Sequence, residues 1–347
     1  MLLYLLIAFL SVPISLATPL SIQEQWTSVS DPLIMSRNFE IRLMLLPMTG
    51  KVTSTQKFWS GDYWALNKGI INRRWNATTL GNTPPPTRDQ ARSWTMDQLK
   101  QLSPSEKFDL FNARYHYPLK REVENYSDYN AQYWEGICHG WAPASMNHNE
   151  PTAKTLKNPD GLLIPFGSAD IKAVLSYFYA YPYQVLNTHQ VGRRCYNPRD
   201  PTDPNCKKDL NAGAFHIILT NKIALDNEGF IADVAQSQEV WNHPIMQYES
   251  RVISDRRGAG PNSAPGTTRT LGLKTRITYA DEASNYWEAG TRKVDSLLLN
   301  YMLEINEYGE IIGGEWQSNQ RPDFLWLKSR PAKFSGNYIR LKELLND

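Results

Sequence analysis

AFHIILTNKIALDNEGFIADVA, residues 214–235, is the stretch on which the architecture turns. Two short apolar runs, AFHIILT and GFIADVA, flank a polar segment ending in the turn signal DNEG. Both runs are partly β-branched and read as strands. Each is interrupted by one ionisable residue, His216 in the first and Asp233 in the second. Such a group inside an apolar run has to be paired or used. If the two strands are adjacent and antiparallel, with residues 220–229 connecting them, His216 lies opposite Asp233. A tight turn at Asp226–Gly229 would set Asp233 against Lys222 instead, so the pairing needs the longer loop. A carboxylate beside one ring nitrogen fixes the tautomer that a general base requires. The other reading is a core histidine that is merely satisfied.

Further downstream the strand pattern continues. LGLKTRITY (271–279) alternates, and YMLEI and EIIGGEW flank NEYG (306–309) as a hairpin. RRGAGPNSAPGTT (256–268) reads as a flexible surface loop. Upstream the period is helical. Ile171, Val174, Leu175 and Phe178 share a face behind Ser168 as N-cap, and Ser103, Pro104 and Glu106 form a capping box ahead of Phe108 and Phe111. NTPPPTRDQ (82–90) is a proline linker, preceded by the aromatic-rich FWSGDYWALNKGIINRRW (58–75). The fold class is therefore α+β: an N-terminal mostly helical region followed by a largely antiparallel sheet.

The 347 residues suffice for one large domain or two ordinary ones, and 11 Trp, 18 Tyr and 11 Phe supply ample core. A net charge of +2, with no basic run interleaved with aromatics, argues against a nucleic-acid partner. LLYLLIAFLSVPISLA (2–17) is short, contains Pro13 and ends in small residues, as a signal peptide cleaved near Ala17 would. No later segment reads as a membrane span. The expected layout is 1–17 signal peptide, 18–86 N-terminal region and linker (a candidate pro-segment lying over the site), and 87–347 catalytic domain. The mature chain is expected in a secreted, periplasmic or extracellular setting.

Export gives the three cysteines meaning. Cys195 and Cys206 bracket the loop YNPRDPTDPN and suit a local disulfide. That leaves Cys138, in WEGICHGWAPAS (134–145), as a reactive thiol or a small buried hydrophobe. A nucleophilic cysteine needs a base, a group orienting that base, and oxyanion donors. Of the six histidines, His139 adjoins Cys138 and points elsewhere on a helix, and His148 lies in polar NHNEP. His189 and His243 sit beside turn residues. His216, with Asp233 behind it, fits best. Gln132 and Trp134 are candidate oxyanion donors beside the Cys138 amide. Pro143 suggests that a helix begins there, leaving Cys138 in the preceding turn. No HExxH, CxxC pair or EF-hand loop offers a metal site.

In order, WEGICHGWAPAS, FGSADIKAVLSYFY, DLNAGAFHI, FIADVAQSQEVWNHP and GGEWQSNQRPDFLW resemble the elicitor-type transglutaminases, a family of secreted oomycete cell-wall enzymes with bacterial relatives. The resemblance spans roughly residues 58–326, with Ala235 standing where family members read ADVT. It implies a distantly papain-like cysteine-enzyme core and a protein-glutamine γ-glutamyltransferase with the triad Cys138, His216 and Asp233. Its substrates would be proteins with accessible glutamine and lysine, or small primary amines. The sequence itself requires no cofactor; calcium enters through the resemblance alone. The alternatives are a papain-like peptidase or amidase using the same triad with water, and an exported binding protein.

Overall fold

The computed structural model describes residues 27–77, 84–183, 189–197, 203, 206, 210–283, 287–290 and 292–347. The expected signal peptide lies outside the described residues. After the short strand β1 (Thr49–Lys51) come five helices: α1 (Arg88–Ser93), α2 (Met96–Lys100), α3 (Pro104–Phe111), α4 (Pro118–Tyr126) and α5 (Cys138–Asn147). The hairpin β2 (Lys154–Lys157) and β3 (Leu163–Phe166) leads to α6 (Ser168–Ala180), then β4 (His189–Gly192) and α7 (Ala212–Leu219). The remaining strands are β5 (Phe230–Asp233), β6 (Asn242–Arg257), β7 (Arg269–Ala280), β8 (Val294–Ile305), β9 (Ile311–Trp316) and β10 (Phe324–Leu327). An eight-stranded sheet runs β4-β10-β5-β6-β7-β8-β9, and β1 pairs with β6 beside β5. Its pairings are antiparallel, so the α+β reading holds.

The local rules that start the helices are visible. Ser103 Oγ accepts from the Glu106 amide at 3.3 Å while Glu106 Oε2 accepts from the Ser103 amide at 3.0 Å, and Pro104 opens α3. At α6 it is Gly167 that caps, its amide donating to Asp170 Oδ2 at 2.7 Å, with Ser168 already inside the helix. The hairpin expected around NEYG joins β8 to β9, with Ile305 paired to Ile311 and Tyr301 to Trp316.

Helices α3, α5 and α6 share a core with the aromatic segment after β1: Trp59, Trp64, Phe108, Phe111, Trp141 and Tyr177 are all buried there. Within it, fully buried Lys107 and Asp170 form an ion pair at 2.6 Å, and the Trp75 indole donates to the same carboxylate at 2.8 Å. The sheet has its own core around α7, with Phe215, Phe230, Tyr248, Tyr301 and Trp316. A smaller contact of Ala142, Ile231 and Trp326 seats α5 on the opposite face of β5 and β10.

AFHIILT is not a strand. It forms α7, which continues as a π-helical turn over Thr220–Leu225. Asn211 Oδ1 caps it by accepting from the amides of Gly213 at 2.8 Å and Ala214 at 3.4 Å. Every residue from Ala212 to Leu219 is buried, so no polar face was present to reveal a helical period. The helix seats directly on β9 through glycine: a Cβ on Gly213 would lie 2.4 Å from the Gly313 carbonyl oxygen. GFIADVA, by contrast, does supply a strand, β5.

Candidate active site

Cys138 opens α5 and is 4% exposed. The sequence expectation of a helix beginning at Pro143 is corrected: α5 starts at Cys138 and carries Pro143 inside it. Proline there forfeits one backbone bond, and close tertiary packing holds the turn. A Cβ on Gly140 would stand 2.1 Å from the Ser176 carbonyl oxygen, so α5 and α6 touch backbone to backbone. The Cys138 amide, at the first helical position, has no acceptor within the helix.

Alternation along β5 decides what faces the thiol. Ile231 packs under α5, and Asp233, two residues on, shares its face; Phe230 and Ala232 point into the α7 core. Across the ladder Asp233 pairs with Asn242, and Ile231 pairs with Trp326. Asn242 Nδ2 approaches Cys138 Sγ at 3.6 Å, and Asn242 Oδ1 accepts from the Trp326 indole at 2.8 Å. On its other side the sulfur donates to the Val240 carbonyl at 3.6 Å. Val240 belongs to the crossing between β5 and β6. Trp241 holds that crossing by donating its amide to Asp233 Oδ1 at 2.9 Å and its indole to Glu239 Oε2 at 2.8 Å. Tyr133 O–H donates to the same Glu239 carboxylate, and Tyr63 packs edge-on to Trp241 at 5.5 Å.

Burial pushes the Cys138 thiol up to about 11; the Asn242 hydrogen bonds oppose this, and Glu282 and Asp233 add to it. Asp233 is pushed up to about 7 by burial, against the amides of Trp241 and Ala235 and the charge of Arg194, and its Oδ2 is buried with no hydrogen-bond partner. Asp323 lies next to it, its amide donating to the Asp233 carbonyl at 3.3 Å, and burial pushes its carboxyl up to about 8. Glu282 is likewise pushed up to about 8 by burial and by Asp62 and Asp281. It lines a groove of about 460 Å³ with Asp62, Tyr63, Trp64 and Trp75.

His216 is elsewhere. It sits on α7 in the opposite core, where Nδ1 meets the Tyr301 hydroxyl at 2.8 Å. Its Nε2 is buried without a partner, and burial pushes the ring down to about 3. No hydrogen bond joins it to Asp233 or Cys138, because its run is a helix on the far face of the sheet rather than a strand beside β5. Asn242 links the two sides of this region, its side chain approaching Cys138 Sγ and its backbone pairing with Asp233, whereas His216 meets Tyr301 in the opposite core. Gln132 and Trp134 are not hydrogen-bonded to Cys138 either; Trp134 lies under the Arg194 guanidinium at 5.4 Å. Asn242 is the donor that sequence reasoning missed. Its place opposite Asp233 depends on strand register, which the composition of VWNHP does not carry.

The other histidines are better held than their sequence settings suggest. His148 lies between Asp347 and the Tyr179 hydroxyl, His243 Nδ1 meets the Ala280 carbonyl at 3.0 Å, and His189 meets the Ile34 carbonyl at 2.9 Å. Cys195 and Cys206 are joined as a disulfide, and the Cys195 amide donates to Asp323 Oδ2 at 2.8 Å, so Cys195 itself braces the strand end beside Asp233. Among the described residues no group of three or more His, Cys, Asp or Glu side chains is arranged to hold a metal ion. No helix among them is long and apolar enough to cross a membrane.

Residues 118–263 match the family model described as Transglutaminase elicitor. The structure is similar to that of the GP42 transglutaminase from Phytophthora sojae, with a TM-score of 0.65 and 21% identity, covering 88% of this chain and 93% of that one. No curated protein matches the chain. Over residues 118–263, which include Cys138, His216, Asp233 and Asn242, the chain resembles the transglutaminase elicitor family, and its fold is transglutaminase-like.

Proposed function

We propose that the protein is an exported protein-glutamine γ-glutamyltransferase with Cys138 as nucleophile. The observation that carries this reading is the unpaired Cys138 at the first position of a helix, beside Asn242 and within the electrostatic reach of Asp233. Burial keeps the resting thiol protonated, and the helix N-terminus favours the oxyanion formed once the sulfur attacks. Asp233 is the proton acceptor that the arrangement favours: one of its oxygens is free, and its carboxyl is basic enough to work near neutrality.

The chemistry runs in two halves. Asp233 takes the thiol proton, and the sulfur attacks the carboxamide carbon of a glutamine side chain. As the tetrahedral intermediate collapses, the C–N bond breaks, Asp233 returns the proton to the departing ammonia, and a thioester remains on Cys138. A primary amine, deprotonated by Asp233, then attacks the thioester carbon. The C–S bond breaks, the amide forms, and the thiol regains its proton. Loss of the thiol proton also ends the hydrogen bond that the sulfur donates to the Val240 carbonyl. His216 in its Tyr301 contact takes no part in this sequence.

The test uses the chain from residue 18, a glutamine-bearing protein and a labelled primary amine, with and without calcium, beside Cys138→Ala. Incorporation that vanishes in the variant supports the reading. Ammonia release without incorporation would make water the acceptor and the protein an amidase, and label incorporated equally by Cys138→Ala would sink the thioester.

A further inference from the structure

We propose that the side-chain amide of Asn242 is the oxyanion donor of this site and that Trp326 is the positioning residue that keeps it turned towards the sulfur. The inference rests on the acyl-transfer reading above and adds a residue to it. Asn242 is 4% exposed, so its amide has no water to fall back on and its two ends must find partners inside the protein. The Trp326 indole can only donate, and it occupies Asn242 Oδ1 at 2.8 Å. That single bond fixes which end of the amide is which. Nδ2 is therefore the end presented to Cys138 Sγ, at 3.6 Å.

A donor so placed does little for a neutral thiol and much for a tetrahedral intermediate. When the sulfur bonds to the carboxamide carbon, the carbonyl oxygen becomes an anion on the atom next to sulfur. It then lies within reach of Nδ2 and of the Cys138 amide, which has no acceptor in the helix. Two donors, one from the main chain and one from a rigidly held side chain, make up an oxyanion hole that needs neither Gln132 nor Trp134. The ladder supplies the rigidity: Asn242 pairs with Asp233 and Trp326 with Ile231, so donor, holder and proton acceptor all come from three neighbouring strands.

The experiment compares the chain from residue 18 with Asn242→Ala, Asn242→Asp, Trp326→Phe and the double variant Asn242→Ala/Trp326→Phe. Two readouts are taken: steady-state amine incorporation, and titration of the Cys138 thiolate by its ultraviolet absorbance. Asn242→Asp keeps an acceptor for the indole, so it folds, yet it turns an oxygen to the sulfur. Both Asn242 variants are expected to lose kcat by about 10²–10³-fold, with KM for the glutamine substrate nearly unchanged. Trp326→Phe frees the amide to flip and loses less. In the double variant the Phe substitution adds nothing, because the group it positioned is gone. The thiolate titrates higher in Asn242→Ala, which has lost a donor to sulfur.

The two readouts separate the ways of being wrong. If the wild type forms no acyl product, the acyl-transfer reading falls, and an unshifted thiolate titration in Asn242→Ala then removes Asn242 as a donor to sulfur as well. If the wild type turns over and Asn242→Asp retains kcat within about threefold of it, the oxyanion assignment is overturned. A full additional loss from Trp326→Phe in the double variant would show that Trp326 acts for another reason.

Discussion

The Val240 carbonyl oxygen lies 3.6 Å from the Cys138 sulfur and accepts a hydrogen bond from the thiol, which ties the crossing between β5 and β6 to the nucleophile. Tyr133 and the Trp241 indole hold the crossing in place through the Glu239 carboxylate. Each such hydrogen bond contributes about 0.5–1.5 kcal/mol, so removing both raises the open population roughly tenfold. Glu239→Ala should therefore alkylate at Cys138 about ten times faster than wild type at the same pH, read by mass spectrometry of the intact chain. An unchanged rate would mean that the crossing does not limit access.

His216 and Asp233 separate cleanly by experiment. His216→Gln leaves the site face of the sheet untouched and should keep turnover per folded molecule within about threefold, with a lower Tm from the lost Tyr301 contact. Asp233→Asn should lose about 10²–10⁴-fold in turnover, the scale of a lost general base. Its thermal stability should hold, since an amide is more easily buried than a carboxylate. The reverse pattern would restore the histidine as the base.

The same groups set opposing pH trends. Asp233 and Asp323 titrate higher in the folded chain, near about 7 and about 8, because burial disfavours their charge. Their contribution is fully present below the ordinary carboxylate range and is lost as pH rises through those values. His216 is depressed to about 3, so its contribution is present above the ordinary imidazole range and is lost as pH falls towards 3. Thermal melts should show Asp323→Asn gaining on wild type from pH 5 to pH 8. His216→Gln should recover ground against wild type between about pH 6 and pH 4. Parallel curves across either window would count against the burial argument.

Much of the scaffold is legible in the sequence because local chemistry announces itself. Ser103 and Glu106 cap α3 as their spacing predicts, and NEYG turns β8 into β9. Cys195 and Cys206 pair as their spacing suggests. The site is only half legible. Cys138 stands out as the odd cysteine and Asp233 as a charge in an apolar run, and Asp233 lies on β5 where the sequence expects a strand. His216 misleads because a helix buried on every side has the same composition as a buried strand, and Asn211, which caps it, lies outside the apolar run. Asn242 is invisible because its role depends on a partner across the ladder and an indole on a strand far along the chain.

The N-terminal region offers the last test. Its position ahead of the proline linker makes residues 18–86 a candidate pro-segment, yet within them β1 pairs with β6, and the Tyr63 carbonyl accepts from the Ile137 amide immediately before Cys138. The Phe58 amide donates to Ser145 at 2.7 Å, and Trp59, Trp64 and Ile71 are buried in the helical core. Each such side chain contributes about 1.5–3 kcal/mol by burial. Removing several of them, together with a strand, takes away stability on the scale of the 5–15 kcal/mol or so by which domains are stable. A chain of residues 87–347 should therefore lack a cooperative thermal transition and expose its core to an apolar dye, whereas residues 18–347 melt as one unit. A shortened chain that melts cooperatively at the full chain's Tm, and alkylates faster at Cys138, would make the segment a removable cover instead.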